Sequence, residues 1–346
     1  MLKKSTLVEY GKDFDSRQLG RGVELRKDIA YKQKKLSLKL LVNAKLLEQC
    51  PVCGYGDSDN YVVVYDYNYS ECKNCGHIFC STLPDIDNLM SLYEGVGSNV
   101  SVQGLVYNKT VYDKRKSLIA FPKVEFLKRV LIHNNINLLN NYWVDIGCGT
   151  GELLSAASDS SFEVLGIESD VHLAKFATSQ GLNIINQNFD EECSNRYLSN
   201  AGIVSLINIL EHIADPILFL KRVVKSMSNG VILIEVPRHP SFASLSAKAF
   251  PDLAYRHIYP PDHLHIFTDD SFRRMLDQCG LQLIGAWFYG QGVAELIEAS
   301  SVNIINSDNS LYDACISAAC AMESVADRAG LSDTLLAVVQ FSPIRK

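Results

Sequence analysis

The stretch YWVDIGCGTG, residues 142–151, decides the fold of most of the chain. It opens with a short apolar strand, and Gly147, Gly149 and Gly151 follow at alternate positions before a helix predicted from about Glu152. Glycines at such a turn let the backbone approach a bound nucleoside, because no Cβ lies in the way. The spacing differs from the G-x-G-x-x-G fingerprint of dinucleotide-binding proteins, which disfavours a nicotinamide cofactor.

Apolar runs rich in valine, isoleucine and leucine alternate with segments of helical period after this stretch. The predicted strands are Tyr142–Ile146, Val164–Ile167, Asn183–Asn186, Ile203–Asn208, Val231–Val236, Leu281–Phe288 and Thr334–Phe341. Helices are predicted over Val171–Gln180 and Ser271–Cys279, and from Asp215 with Pro216 at the first helical position. Strands separated by helices of this length predict a parallel sheet that is covered on both faces.

The second predicted strand leads to Glu168, whose carboxylate can accept hydrogen bonds from both hydroxyls of a ribose. With Glu168, the glycine motif resembles the class I S-adenosylmethionine-dependent methyltransferases. LINILEHIADP at residues 206–216 and HLHIFT at residues 263–268 are further matches. The resemblance covers about residues 117–341. It implies an α/β, Rossmann-like methyltransferase sheet of seven strands, the last of them antiparallel.

The resemblance also implies which residues contact S-adenosylmethionine. Asp145 and the glycines would border its methionine part, and Glu168 would hold the ribose. Asn188 and Phe189 would lie beside the adenine, and Asn208 and Leu210 would lie under the sulfonium. The family more often has an aspartate where this chain has Asn188. The predicted cofactor-binding residues are Asp145, Gly147, Cys148, Gly149, Gly151, Glu168, Asn188, Phe189, Asn208 and Leu210. Glu211 and His212 are interpreted as a structural helix start, without a catalytic role.

Two C-x2-C pairs precede this domain: Cys50 with Cys53, and Cys72 with Cys75. Two tight turns at this spacing present four thiolates at the corners of a tetrahedron, the geometry that zinc takes with sulfur ligands. Four protein ligands leave no open coordination position, so the predicted Zn2+ is structural. A small four-cysteine zinc-binding module of this kind narrows the resemblance to bacterial methyltransferases that act on sugars or other small metabolites.

The segment between the two cysteine pairs contains no basic residue, which disfavours nucleic acid as its partner. It is rich in tyrosine instead. Two interpretations stay open for these tyrosines: contact with a substrate or partner, or the filling of strands in a small domain. The residues concerned are Tyr61, Tyr65, Tyr67 and Tyr69.

Residues 237–268 form a long insertion beyond the carboxyl end of a strand, where α/β sheets bind their ligands. An imidazole there suits the removal of a proton from a methyl acceptor, although any of these histidines can instead anchor the loop. In order of preference, the predicted catalytic residues are His263, His257, Tyr255 and His265. Arg238 and Arg256 are candidates for holding a phosphate or carboxylate of the acceptor, or are solvated at the surface.

The expected organisation has four parts: a basic, partly helical arm at residues 1–48, the zinc-binding module at 49–82, a linker at 83–116 and the methyltransferase domain at 117–346. The arm carries 12 Lys and Arg against 6 Asp and Glu, whereas the whole chain has a net charge of −6. The arm is either a solvated segment or a contact for an anionic partner.

The expected function is S-adenosylmethionine-dependent methyl transfer to a small-molecule acceptor, such as a sugar or a related metabolite. Two alternatives stay open: an RNA or protein methyltransferase that grips its substrate with the zinc module, and a non-catalytic scaffold. The acidic balance disfavours nucleic acid. No membrane span is expected, since no stretch approaches roughly 18 uninterrupted apolar residues. The start of the chain does not resemble a signal peptide, so a cytoplasmic location is expected.

Overall fold

The structure of the protein is a computed structural model, which describes residues 6–12, 23–41, 43–85, 109–138, 141–254, 256–301 and 309–342. The strands are β1 Leu7–Tyr10, β2 Lys45–Leu46, β3 Ser58–Val64, β4 Tyr67–Cys72, β5 Ile78–Cys80, β6 Thr82–Leu83, β7 Tyr142–Ile146, β8 Glu163–Glu168, β9 Ile184–Asn186, β10 Ile203–Ile207, β11 Val231–Pro237, β12 His265–Ile266, β13 Leu281–Tyr289 and β14 Thr334–Phe341.

The helices are α1 Val23–Leu40, α2 Lys109–Arg115, α3 Phe121–His133, α4 Glu152–Asp159, α5 Val171–Ser179, α6 Glu191–Leu198, α7 Pro216–Ser226, α8 Phe242–Ala249, α9 Asp269–Gln278, α10 Gly292–Ser301 and α11 Asn309–Arg328. A π-helical turn occupies Lys116–Ala120, and 3-10 turns occupy Leu210–His212 and Pro251–Leu253. No helix in the described part of the chain is long and apolar enough to cross a membrane.

The main sheet has the strand order β1-β13-β14-β11-β10-β7-β8-β9. β14 runs antiparallel to both of its neighbours, β11 and β13, while the other pairs are parallel. The predicted seven-stranded sheet with an antiparallel last strand is therefore confirmed. The addition is β1, which pairs with β13 at the edge although it lies within the predicted arm. Four residues are too few for a strand to be recognised from its pattern.

The helix starts follow local capping chemistry. The Asp215 side chain accepts from the Leu218 backbone N–H at 2.8 Å, and Pro216 occupies the first position of α7, as predicted. The helix predicted from Ser271 begins earlier, at Asp269. Thr268 caps it, since its hydroxyl accepts from the Ser271 N–H and the Ser271 hydroxyl accepts from the Thr268 N–H.

The two faces of the main sheet bury different side chains because alternate residues of a strand point in opposite directions. In β7, Trp143 packs in the layer that contains α3 and α4, whereas Val144 packs in the layer that contains α7 and α9. All seven residues of β11 are buried. Both faces are thus covered, and sheets of this kind bind their ligands at the carboxyl ends of the strands.

A second, antiparallel sheet has the order β12-β5-β4-β3. Three of its strands come from residues 58–80, but β12 comes from the insertion and pairs with β5. Leu36 and Leu40 of α1 pack against the same apolar cluster as this sheet. We call α1, the second sheet and residues 237–268 the insertion unit.

Candidate active site

The glycine turn between β7 and α4 has a left-handed backbone at Gly147, Gly149 and Gly151, with φ of 67°, 56° and 83°. A Cβ on Gly147 would lie 2.3 Å from Ile209 Cδ1, and one on Gly151 would lie 2.4 Å from Leu182 Cδ1. Around Gly149, in contrast, a Cβ would meet no described atom within 4 Å. Packing therefore requires two of the glycines, and the third borders open space at the carboxyl end of β7.

Glu168 ends the neighbouring strand and holds this turn in place. Its Oε2 accepts from the Gly149 N–H and its Oε1 from the Asp170 N–H, both at 2.8 Å. Burial raises the pKa of Glu168 above its usual value, against the effect of these two backbone donors. Each carboxylate oxygen has a further lone pair, so the group retains the capacity to accept from ribose hydroxyls.

Asp145 lies just before the turn and is buried. The Ser205 hydroxyl donates to its carboxylate at 2.5 Å, and the Trp143 indole N–H donates to the same serine at 2.7 Å. Burial raises the pKa of Asp145 to about 7, against the effect of the Ser205 bond. The side chain is therefore tied to β10 behind the turn.

The remaining predicted cofactor residues lie around the same edge. Asn208 has φ of 53°, and its amide donates to Glu235 Oε1 at 3.3 Å. The thiol of Cys148 packs under α4, and Leu210 is buried in the core. Phe189 lies 5.3 Å from the Phe219 ring, centroid to centroid. Asn188 is exposed at the end of β9.

A buried charge network next to Asn208 was not found by sequence reasoning. Lys123 Nζ lies 2.6 Å from Glu235 Oε2, and the Tyr289 hydroxyl donates to the same oxygen at 2.6 Å. Burial would raise the pKa of Glu235, but Lys123 keeps it below its usual value. The three residues come from α3, β11 and β13, so no local pattern in the sequence connects them.

The structure places the predicted catalytic histidines in hydrogen bonds to the backbone. His257 Nε2 donates to the Arg238 carbonyl at 3.0 Å, and His265 Nε2 donates to the Ile213 carbonyl at 2.8 Å. His265 Nδ1 then accepts from His77 at 3.2 Å, so both of its ring nitrogens have partners. Burial lowers the pKa of His265 to about 4. Tyr255 lies outside the described residues.

His263 also bonds to a backbone carbonyl, that of His257 at 2.9 Å, but it lies next to two further residues for which the sequence predicted only a structural role. Glu211, His212 and His263 each offer one ligand atom, and these atoms lie within 4.8 Å of one another. Glu211 is fully buried. Burial raises its pKa well above the usual value, and burial also lowers the pKa of His212 to about 4. The spacing Glu-His at 211–212 was visible in the sequence, but its encounter with residue 263 was not.

Arg238 and Arg256, predicted to hold an anionic acceptor or to be solvated, are instead committed to internal ion pairs. Arg238 binds the two carboxylate oxygens of Asp269 at 2.7 and 3.0 Å. Arg256 pairs with Glu295 at 2.9 Å and with Asp333, which is fully buried. These contacts fix the insertion to α9, to α10 and to the residue just before β14.

The four predicted zinc ligands come together beside the insertion unit, with Cys72 at the end of β4 and the other three in the adjoining turns. Cys50 Sγ lies 3.7 Å from Cys75 Sγ, and Cys53 Sγ lies 3.5 Å from Cys72 Sγ. A zinc ion with Zn–S bonds of about 2.3 Å has sulfur–sulfur edges of about 3.8 Å in a tetrahedron, so the cluster fits zinc. Gly54, with φ of 70°, follows the first pair and donates its N–H to the Cys50 carbonyl at 2.8 Å.

All four tyrosines of the module are buried within this small sheet, as one of the two interpretations predicted: Tyr61, Tyr67 and Tyr69 lie in strands, and Tyr65 lies in the turn between β3 and β4. Each hydroxyl donates to a backbone carbonyl, and three of the acceptors lie in the insertion: Ser244, Ala254 and His263. The Thr268 hydroxyl also donates to the Cys75 carbonyl at 2.6 Å. The cysteine cluster and the insertion therefore support each other.

Comparison with known proteins finds one family model and several solved structures that are similar to this chain. Residues 118–285 match the family model of a methyltransferase domain. The fold is similar to that of a SAM-dependent methyltransferase from Archaeoglobus fulgidus, at 18% identity and a TM-score of 0.40 over 63% of this chain and 94% of that chain. It is also similar to magnesium protoporphyrin IX methyltransferase from Synechocystis PCC 6803, solved with bound SAH, at 10% identity and a TM-score of 0.46 over 75% and 100%. No curated protein sequence matches the chain.

The matched region runs from α3 into β13 and contains the glycine turn, Glu168 and Asn208. The strands on either side of that turn, β7 and β8, are parallel, as expected for a strand-turn-helix motif followed by the next strand. Residues 118–285 therefore carry a methyltransferase domain, and the chain is a methyltransferase.

Proposed function

We propose that this methyltransferase acts on a small-molecule acceptor, of the size of a sugar or a related metabolite. The observation that carries the proposal is a polar cluster next to the insertion, directly after β10: Glu211 is fully buried, and His212 and His263 beside it are half-buried. Polar groups enclosed in this way suit a ligand that enters the fold, whereas a macromolecule would need them at an open surface.

The position of these groups follows the chemistry of methyl transfer. The sulfonium activates the methyl carbon, so the enzyme has to place the acceptor in line and assist the loss of its proton. His263 remains our candidate for that assistance. Burial lowers its pKa well below the usual value, so the ring is neutral near pH 7 and keeps a basic nitrogen.

The cysteine cluster supports a structural zinc ion in this proposal. Its four ligands complete the coordination shell, so the metal stabilises the insertion unit and takes no part in the reaction. The charges of the module do not favour an RNA acceptor, because Lys73 pairs with Asp57 at 3.1 Å and Asp59 at 3.2 Å.

A metabolite screen tests the proposal. The full chain is incubated with S-adenosylmethionine and a panel of nucleotide sugars and hydroxylated metabolites, and mass spectrometry detects the gain of one methyl group. We expect at least one member of the panel to be methylated, with no product from Gly149→Val. Methylation of RNA or protein in parallel reactions, with none of any small molecule, would contradict the proposal.

A further inference from the structure

We propose that Glu211, His212 and His263 form a binding site for a divalent cation, separate from the cysteine cluster. Glu211 and His212 belong to the 3-10 turn after β10, and His263 belongs to the insertion. Their ligand atoms all lie within 4.8 Å of one another. A single ion between three such atoms reaches each of them at bonding distance after a small adjustment of side chains.

The first argument is the state of the Glu211 carboxyl group. The side chain has no solvent exposure, and neither oxygen has a hydrogen-bond partner within the part of the chain that the structure describes. A buried polar group without a partner destabilises a fold, by more when it is charged. A cation bound to Glu211 would give the carboxylate oxygens a partner and would also balance the charge of the buried carboxylate.

The second argument is the orientation of the two imidazole rings. His212 Nδ1 lies 2.8 Å from the Asp262 carbonyl, and His263 Nδ1 lies 2.9 Å from the His257 carbonyl. A carbonyl oxygen only accepts, so each Nδ1 carries the proton and the lone pair of each neutral ring is on Nε2. Histidines that bind metals are commonly held in this way, by donating their other ring N–H to a carbonyl or carboxylate.

The ligand set indicates the kind of ion. Two imidazoles and one carboxylate suit Zn2+, Fe2+, Mn2+ or Co2+, and three protein ligands leave further positions open. The cysteine cluster has the opposite character, with four soft ligands and a complete shell. The open positions would take an oxygen of the acceptor, a hydroxyl or a carboxylate, a role that rests on the proposed function. His263 would then be a metal ligand and not a free base.

Manganese distinguishes the two clusters, because thiolates favour zinc whereas carboxylates and imidazoles accept Mn2+. The full chain, loaded with one equivalent of zinc, is titrated with Mn2+, and the free ion is followed by electron paramagnetic resonance. We expect about one Mn2+ to bind per chain, because the three ligands define one site. Glu211→Gln should weaken that binding by at least about 100-fold, since even the loss of an outer partner of a ligand costs 10- to 100-fold.

Asp327→Asn is the matched control. Asp327 is also a buried carboxyl group whose oxygens have no hydrogen-bond partner among the described residues, but it lies in α11, outside the cluster. Both substitutions exchange a buried acid for an amide of equal size, so they share their effects on packing. Only Glu211→Gln should change Mn2+ affinity. His263→Gln provides a second ligand variant in case Glu211→Gln does not fold.

Either of two outcomes would overturn the inference. One is that the zinc-loaded chain binds no Mn2+, and the other is that wild type, Glu211→Gln and His263→Gln bind Mn2+ with equal affinity. The result is independent of the acceptor, because it is read from the free ion and not from turnover. If the chain methylates a metabolite but binds no Mn2+, the cation site is wrong and His263 remains the candidate base. If it binds Mn2+ through Glu211 but methylates no metabolite, the proposed function is wrong and the site stands.

Discussion

The cofactor edge and the insertion unit of this methyltransferase are assembled over very different distances in the chain. At the cofactor edge, residues 142–168 suffice: β7, the glycine turn, α4 and β8 follow each other directly, and Glu168 returns to the Gly149 N–H. In the insertion unit, β12 pairs with β5 across almost two hundred residues of sequence, and Gln33 of α1 donates to the Pro260 carbonyl at 2.8 Å. Non-local pairing of this kind has a higher entropic cost of closure.

This difference has a functional consequence. The cofactor edge depends on backbone geometry that a short motif encodes, so it tolerates change elsewhere in the chain. The insertion unit depends on several weak contacts that all have to be present together, including the Tyr69 bond to the His263 carbonyl at 2.8 Å. We therefore expect the two regions to respond separately to substitution, with cofactor binding and acceptor chemistry lost by different changes.

The largest effect is expected from loss of the cysteine cluster. Cys72→Ser should lower the amount of bound zinc by about one ion per chain, because it removes one of the four ligands of the cysteine cluster, and structural zinc sites contribute folding energy directly. The insertion then loses the support of β5, so methyl transfer should fall below detection. Affinity for S-adenosylmethionine should stay within about 2-fold, as expected for sites that share no partners. Metal analysis, turnover and titration calorimetry measure these three quantities.

Cys315→Ser is the control for this substitution, since Cys315 is half-buried in α11 and lies outside the cluster. It should leave all three quantities unchanged. Equal turnover of Cys72→Ser and wild type would show that the insertion unit does not need its metal.

The second effect concerns Gly149. A valine there would project into the open space beside the turn, so affinity for S-adenosylmethionine should fall about 100-fold, or about 2.8 kcal/mol. Gly181→Val is the matched control, because Gly181 also has a positive φ, of 86°, and a Cβ on it would meet no described atom within 4 Å. Both variants should lose about 1–2 kcal/mol of stability from backbone strain. Similar cofactor affinities in calorimetry would place the cofactor elsewhere.

A smaller loss is expected from Glu168→Gln. The amide has one accepting oxygen instead of two, so it cannot accept from both backbone N–H groups and from a ribose at once. Affinity for the cofactor should fall about 10-fold, the value of one charged hydrogen bond at the low end of its range. Glu163→Gln, at the exposed start of the same strand, is the control and should bind normally. Wild-type affinity of Glu168→Gln in the same titration would exclude the ribose role.

The same comparison explains what the sequence could and could not predict. The succession of strands and helices from residue 142 onward and the glycine turn were predictable, because their patterns are local and the strands are apolar. β1 was missed because four residues carry no pattern, and Arg238 and Arg256 were misjudged because their carboxylate partners lie far away in the chain. His263 was singled out for its place in the insertion, but its neighbours Glu211 and His212 became visible only in three dimensions.

The smallest effect tests the acid sensitivity of the insertion unit through His239. Burial lowers the pKa of His239 to about 4, from 6.5, so the unfolded chain binds more protons than the folded one between these two values. Stability should therefore fall as the pH drops below about 6.5, and His239 alone should contribute about 1 kcal/mol of that loss between pH 7 and 5.5.

Glutamine at position 239 cannot take up this proton and retains a partner for the Ser244 hydroxyl, which lies 2.9 Å from His239 Nδ1. Urea unfolding at pH 7 and at pH 5.5 measures the free energy of unfolding. On acidification, His239→Gln should lose about 1 kcal/mol less of this free energy than wild type does. The control is His172→Gln, at an exposed position of α5, which should behave as wild type does. If wild type and His239→Gln lose the same stability, the imidazole takes up its proton as readily in the folded chain as in the unfolded one, and the insertion unit is less closed around it than its contacts indicate.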